Sequence, residues 1–290
     1  MQNAKIEEEI GKIIEQLYPV LSDFRNDLHR NPELSWQEFR TTQKIDEILK
    51  EYGLPTLVKP LETGGYIDFE YNPDAPYVLL RSDIDALPIT DLKNTSHSSQ
   101  NNGVCHACGH DVHTTIIVGL GILLQKLNIS LPYNIRLVFQ PAEEPIPGGA
   151  SKMIPTGILN KVRYAIGIHV DPRIEVGTIS LTKGWVNMQS IRLDLEITGT
   201  GGHSAYPFKT QDIIWVASRL IQDSLQMINR EFDALYEPLI LTFTEIRSGE
   251  GYNVIPAKLS LTGTIRLSEP KLRERFIDKF QRLLTAYEAT

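Results

Sequence analysis

YVLLRSDID (77–85), DVHTTIIVGLGILLQKL (111–127) and NIRLVFQ (134–140) decide the fold of this chain. The first and third are short apolar runs bounded by polar residues, as buried strands are, and the second is a long apolar run of helical length. YAIGIHV (164–170) adds another strand, and TGGYIDFEY (63–71) one ahead of them. Strands alternating with a helical run predict an α/β layer with a mainly parallel sheet. In such sheets ligand groups gather beyond the carboxyl ends of the strands. Each apolar strand here ends in residues capable of chemistry: Asp83 and Asp85, then Glu143 and Glu144, then His169.

Working outward, Ile6, Ile10, Ile13, Ile14, Leu17, Leu21, Phe24 and Leu28 recur at helical spacing. Asn31-Pro32 breaks that helix, and a second is expected from Ser35 to Tyr52, stopping at Gly53. After Trp185 the pattern changes. NMQSIRLDLEITG (187–199), LILTFTEIRSG (239–249) and KLSLTGTIRL (258–267) alternate as half-exposed strands do. TQDIIWVASRLIQDSLQMINR (210–230) and EPKLRERFIDKFQRLLTAYEA (269–289) read as helices. The expectation is two domains, 1–185 and 186–290, the second a small two-layer α+β unit.

Composition bounds the function. Of 290 residues, 41% are hydrophobic and 22% charged, the balance of a globular chain. Lys and Arg number 29 against 36 Asp and Glu, a net charge of −7 that disfavours a nucleic-acid-binding role. No apolar run reaches the roughly 18 residues of a membrane span. The N-terminus lacks the apolar core of a signal peptide. With Cys105 and Cys108 only three apart, no disulfide framework is expected, and the cytoplasm is the expected compartment.

The chemistry concentrates in CHACGHDVH (105–113). Thiolate, imidazole and carboxylate form a ligand set for zinc and neighbouring transition metals, and Gly109 lets the backbone turn so that Cys108 and His110 face one ion. A redox Cys-x-x-Cys is the rival, but it leaves the nearby histidines unexplained. In QPAEEP (140–145), burying both Glu143 and Glu144 requires a compensating positive charge. A metal supplies it, one Glu binding the ion while the other takes a proton from water. Asp83 and Asp85, two apart on a strand end, are placed to hold a metal-bound histidine. GTGGHS (199–204) is a flexible turn with one imidazole, and Asn253 with Arg266 offers a grip for a carboxylate. Each of these residues also has an ordinary structural use, as a capped loop histidine, a solvated acidic loop or a surface strand end.

Taken together the segments resemble the M20 metallopeptidase family, in particular its amidohydrolases of N-acyl amino acids, hippurate-like amides and auxin conjugates. The matching stretches are LHRNPELSWQE (28–38), RSDIDALPI (81–89), CHACGHDVH (105–113), VFQPAEEP (138–145), GIHV (167–170), TGTGGHSAYP (198–207) and NVIPAKLSLTGTIR (253–266). The resemblance implies a metallopeptidase-like α/β catalytic domain with an inserted α+β lid and dimerisation domain. It implies two divalent ions (Zn, Mn, Co or Ni) at Cys108, His110, Glu144 and His169, with Glu143 as general acid/base and Asp85 supporting the site. His203 matches a lid histidine that stabilises the oxyanion across a homodimer, and Asn253 and Arg266 match residues that recognise the substrate carboxylate. The implied substrate is an N-acyl amino acid or short peptide.

Three departures stand out. Cys105 occupies a usual methionine position and is expected to pack, and Phe208 replaces a frequent histidine. In the family the chain returns from the lid to complete the catalytic domain and supply a last metal-ligand histidine, whereas here His203 is the last histidine before Thr290. The expectation is a C-terminally shortened chain with an incomplete metal site and weak or absent turnover, the alternative being a non-catalytic metal-binding or dimerisation protein.

Overall fold

The computed structural model describes residues 2–288. Ala289, the last residue of the expected final helix, lies outside them. Two compact units divide at Val176/Gly177. The junction expected at 185/186 falls in the irregular stretch 168–188 that separates the last strand of the first unit from the first strand of the second.

The first unit runs α1 (Gln2–Arg30), α2 (Phe39–Glu51), β1 (Gly65–Phe69), β2 (Tyr77–Asp83), α3 (His110–Leu127), β3 (Asn134–Gln140), the short α4 (Gly149–Met153) and β4 (Val162–Gly167). The sheet order is β1-β3-β2-β4, with β2 parallel to both β3 and β4 and β1 antiparallel to β3. β3 is buried along its whole length, which is why it reads as a mostly apolar run, its one charge, Arg136, being paired with Asp68. Leu17, Leu28, Ile45, Leu49, Ile117, Val118 and Ile122 from the three long helices pack with Ile67, Leu137 and Phe139 into the main core. Each such side chain taken from water stabilises the fold by about 1.5–3 kcal/mol. A smaller cluster of Leu79, Val138, Met153 and Ile158 gathers other side chains of β2 and β3.

Two boundaries differ from expectation. α2 begins at Phe39 rather than Ser35, because Trp36 sits at φ 67, a left-handed conformation no helix tolerates. β4 ends at Gly167, its last partner being Arg81, so His169 lies in the loop beyond the strand. β4 is an edge strand and largely exposed.

The second unit contains β5 (Gln189–Thr198), β6 (Gly202–His203), α5 (Ile213–Glu231), β7 (Leu239–Ser248), β8 (Val254–Ile255), β9 (Lys258–Leu267) and α6 (Pro270–Glu288). β5, β9 and β7 form an antiparallel sheet in that order. Leu259, Leu261, Ile265 and Leu267 alternate inward from β9 against residues of α5 and α6, including Ala217, Leu272 and Phe276. Asp212 caps α5 by accepting from the backbone N–H of Ile214 and Trp215.

Candidate metal centre

Cys108, Gly109 and His110 form the N-terminal entry to α3. Gly109 adopts φ +81, and a Cβ there would lie 2.4 Å from Val170 Cγ2. The glycine therefore serves both the turn between the two candidate ligands and the close approach of the loop after β4. His110 Nδ1 donates to the carbonyl of Asp85 at 2.8 Å, which fixes its tautomer and leaves Nε2 for the site. Nε2 lies 3.8 Å from Glu144 Oε1 and 3.6 Å from Asp83 Oδ2. Ligand atoms of Cys108, His110 and Glu144 all lie within 4.8 Å of one another.

Asp85 is the hub beneath this trio. Its Oδ2 accepts from the Ser35 hydroxyl at 2.7 Å and from the backbone N–H of Glu144 at 3.1 Å, and its Oδ1 lies 3.3 Å from His110 Nδ1. The i, i+2 spacing of Asp83 and Asp85 thus sets a carboxylate near each nitrogen of His110.

The trio is short of positive charge. Burial, a hydrogen bond to Glu144 and nearby carboxylates push the Cys108 thiol up to about 12. Burial opposes charging of His110, but its hydrogen bond with Asp85 and the charges of Asp83, Asp85 and Glu144 raise its pKa on balance. Glu144 Oε1 is buried without a hydrogen-bond partner among the described residues. A divalent cation answers all three conditions, since it favours the thiolate, takes the lone pair of His110 Nε2 and pairs the orphaned carboxylate oxygen. Thiolate, imidazole and carboxylate together suit a borderline transition metal.

Glu143 departs from the expectation of a buried carboxylate pair. It is exposed at the surface and Glu144 is half-buried. The chain turns between the buried Pro141-Ala142 step and solvent, and so leaves the Glu144 carboxylate in the trio and the Glu143 carboxylate exposed. Partial desolvation, then the charge of Glu144, raise the Glu143 pKa. His169 is exposed; its Nδ1 donates to the carbonyl of Val170 at 2.7 Å, and its Nε2 has no hydrogen-bond partner among the described residues. Its ring centroid stands 4.7 Å from that of His113 and 6.4 Å from that of His110, beside the trio rather than within it.

Several residues that position the site were not singled out from sequence. Glu38 is fully buried; its Oε1 accepts from the backbone N–H of Ala142 at 2.7 Å and its Oε2 from the Thr63 hydroxyl at 2.8 Å. That anchor, with the Gly149 N–H bonded to the Ala142 carbonyl, holds Ala142 at φ 47 immediately before the two glutamates. A second group, Asp83, His110 and His113, also brings three ligand atoms within 4.8 Å. His29 bonds Asp111 Oδ2 at 2.8 Å, and Arg25 reaches the same oxygen. Cys105 is buried beside Leu87, with which its backbone pairs, as expected of a packing residue.

In the second unit, pairing of β6 with β8 sets His203 opposite Val254, and the Ser204 N–H donates to the Asn253 carbonyl. His203 is therefore a chain neighbour of Asn253 across the ribbon. It is exposed, and its Nδ1 accepts from the Ala205 N–H. Arg266 projects from the exposed face of β9, between the inward Ile265 and Leu267.

An α/β unit whose strand ends and helix entry converge on a thiol, an imidazole and a carboxylate has the arrangement of a metal-dependent hydrolase. The chain belongs to peptidase family M20/M25/M40, whose family pattern matches residues 79–280. It is 36% identical over 264 residues to the N-acetylcysteine deacetylase of Bacillus subtilis, a match covering 91% of this chain and 69% of that protein. It is 33% identical over 277 residues to the N-acyl-L-amino acid amidohydrolase of Geobacillus stearothermophilus, covering 96% of this chain and 75% of that one. With a second Bacillus subtilis relative, an N-acetyl-L-cysteine deacetylase, the match covers 62% of the relative's length. Among solved structures, a dinuclear metal-binding M20 peptidase from Bacillus subtilis superposes with a TM-score of 0.80 at 33% identity, covering 95% of this chain and 71% of that one. A Staphylococcus aureus structure reaches a TM-score of 0.90 at 28% identity, covering 100% of this chain and 76% of that one. Among the described residues no helix is long and apolar enough to cross a membrane.

Proposed function

We propose that the protein is a metal-dependent amidohydrolase that cleaves the amide bond of N-acyl amino acids or short peptides. The observation that carries this reading is the convergence of Cys108, His110 and Glu144 within 4.8 Å, with an orphaned carboxylate oxygen at its edge. Cys108, His110, Glu144 and, through Nε2, His169 would together hold two divalent ions. Zinc suits the thiolate best, with Mn, Co or Ni as the other candidates. Bound ions of this kind lower the pKa of water and polarise a carbonyl.

The chain's own groups then divide the work. Glu143, exposed and with a raised pKa, accepts the proton of the attacking water and returns it to the departing amine nitrogen. Asp85 holds His110 and the Glu144 backbone in register. His203 donates to the developing oxyanion. Arg266 and Asn253 bind the substrate carboxylate through paired hydrogen bonds. The active form we infer is a homodimer joined through the second unit, in the cytoplasm, with no nucleic-acid or membrane partner.

A thiol-redox role is less well supported. Burial raises both Cys105 and Cys108, whereas a redox thiol requires the opposite shift. The non-catalytic alternative shares the same metal centre, so activity must separate the two. Metal analysis of the full-length protein and a panel of N-acyl amino acids, assayed before and after chelation, test the proposal. Amine release that chelator abolishes and added metal restores is the expected result. Hydrolysis indifferent to chelator, or no metal in the protein and none taken up, overturns it.

A further inference from the structure

Asp83, His110 and His113 lie within 4.8 Å of one another and offer a second set of metal-ligand atoms in the first unit. The hydrogen bonds around His113 point elsewhere. Asp83 Oδ1 lies 2.6 Å from His113 Nδ1. Asp83 is almost wholly buried and also accepts from Arg81 Nη1 at 2.7 Å. A carboxylate so placed accepts, so the His113 proton is on Nδ1. The opposite nitrogen, Nε2, accepts from the backbone N–H of Val170 at 2.8 Å. Both nitrogens of this fully buried imidazole are thus engaged, and no lone pair remains for a cation.

The residue that His113 grips from below is the neighbour of His169. The rings of His113 and His169 are in edge contact at 4.7 Å. Gly109, between Cys108 and His110, leaves the room that Val170 fills from the other side. Three contacts therefore converge on one short loop: a hydrogen bond to its backbone, a ring against its histidine and a glycine opened to its valine.

We infer that Asp83 and His113 are a positioning pair, not metal ligands: Asp83 orients the His113 ring, which fixes the Val170 backbone and so presents His169 to the Cys108–His110–Glu144 centre. The inference rests on the metal-centre reading above and adds to it the element that sets the fourth candidate ligand. Because β4 ends at Gly167, the loop is not held by sheet pairing at His169, and the His113 bond does that work.

The test has two arms, both on the full chain. In the first, nitrogen-15 histidine spectra of the unsubstituted protein report tautomer and coordination during titration with cadmium-113. His113 is expected in the neutral Nδ1–H form, without coupling to cadmium, while His110 shows coupling. Coupling at His113, or a proton on Nε2, overturns the inference without any substitution. In the second arm, His113→Phe keeps an aromatic ring and removes both hydrogen bonds, while His113→Gln keeps a donor and an acceptor on one rigid plane. Zinc affinity is expected to fall about 10- to 100-fold in H113F and to recover largely in H113Q. Protection of the Val170 amide against hydrogen exchange should be lost and regained in parallel. Unchanged zinc affinity and Val170 protection in H113F sink the positioning role. Cys108→Ser separates the two claims. If C108S leaves zinc affinity intact, the metal centre itself falls. If C108S weakens zinc binding and H113F does not, only the positioning pair falls.

Discussion

The two units carry their candidate residues in opposite ways. In the first, Asp83, Asp85, His110 and His113 are almost completely buried, and each is held by at least one named partner. In the second, His203 and Arg266 are exposed, and His203 meets only local groups among the described residues: backbone pairing, a bond from the Ala205 N–H and the ring of Tyr206. The difference matches the roles proposed for each group. A metal centre needs donor atoms fixed before the ion arrives, and burial with directional hydrogen bonds provides that. Residues that meet a small substrate must instead reach solvent. Stability should follow the same division, with buried charges in the first unit costly to disturb and surface pairs in the second nearly silent.

The largest effect is expected from Glu143→Gln. It should lower hydrolysis of an N-acyl amino acid by about 10²- to 10⁴-fold, the usual worth of a general acid/base. Zinc affinity should hold, because Glu143 is exposed and outside the ligand trio. Amine release beside calorimetric zinc titration measures both, and unaltered turnover would remove the assigned base. Next in size is Arg136→Ala in the first unit. Arg136 is buried, donates to both oxygens of Asp68 and to the Ile158 carbonyl, and stacks on Tyr66 and Tyr77. Its loss should cost about 3 kcal/mol in urea unfolding, and a cost near zero would break the contrast between the units.

Acid should expose a third effect. Burial opposes ionisation of Asp83, but the His113 bond and the Arg81 charge hold its pKa at about 2, below the ordinary 3.8. A carboxyl depressed on folding contributes stability above its unfolded pKa and loses it as pH falls through the folded value. The Asp83 contribution, about 2 kcal/mol, should therefore be complete above pH 4 and fade toward pH 2. Unfolding free energies measured across that window should fall more steeply for the parent than for D83N, and equal slopes refute the assignment.

Arg266→Ala should raise KM about tenfold with little change in kcat, as expected for loss of one charged contact to the substrate carboxylate. Steady-state kinetics with an N-acyl amino acid and with its carboxamide check this; the carboxamide should be indifferent to the substitution. Smallest of all is Arg192→Ala. Arg192 and Asp194 pair two residues apart on the exposed face of β5, and solvent screens such pairs. The melting midpoint should not move measurably.

Much of the site was legible because part of it is local. Cys108 and His110 lie two apart around a glycine, so a helix entry brings them to one place whatever surrounds it. Glu144 follows a strand whose apolar run announces it. Glu38 was illegible because its partner Ala142 is 104 residues away and its own surroundings look like any helix start. His113 sat in plain view within CHACGHDVH, yet nothing local separates a ligand from an orienting residue. That distinction depends on Asp83 and Val170, which lie 30 and 57 residues away. The split between Glu143 and Glu144 was hidden for the same reason: adjacent identical side chains differ only in what the folded chain puts over each.

By itself the sequence determined the alternation of elements, since hydrophobic period depends on neighbours a few residues apart. It also determined the family and the paired donors at the entry to α3. Only the tertiary structure decided which imidazole nitrogens are free, which carboxylate is orphaned, and that His169 stands in a loop beyond its strand. Donor direction is set by side chains meeting from distant parts of the chain, and a hydrogen bond or a metal bond depends on that direction as much as on the identity of the residue.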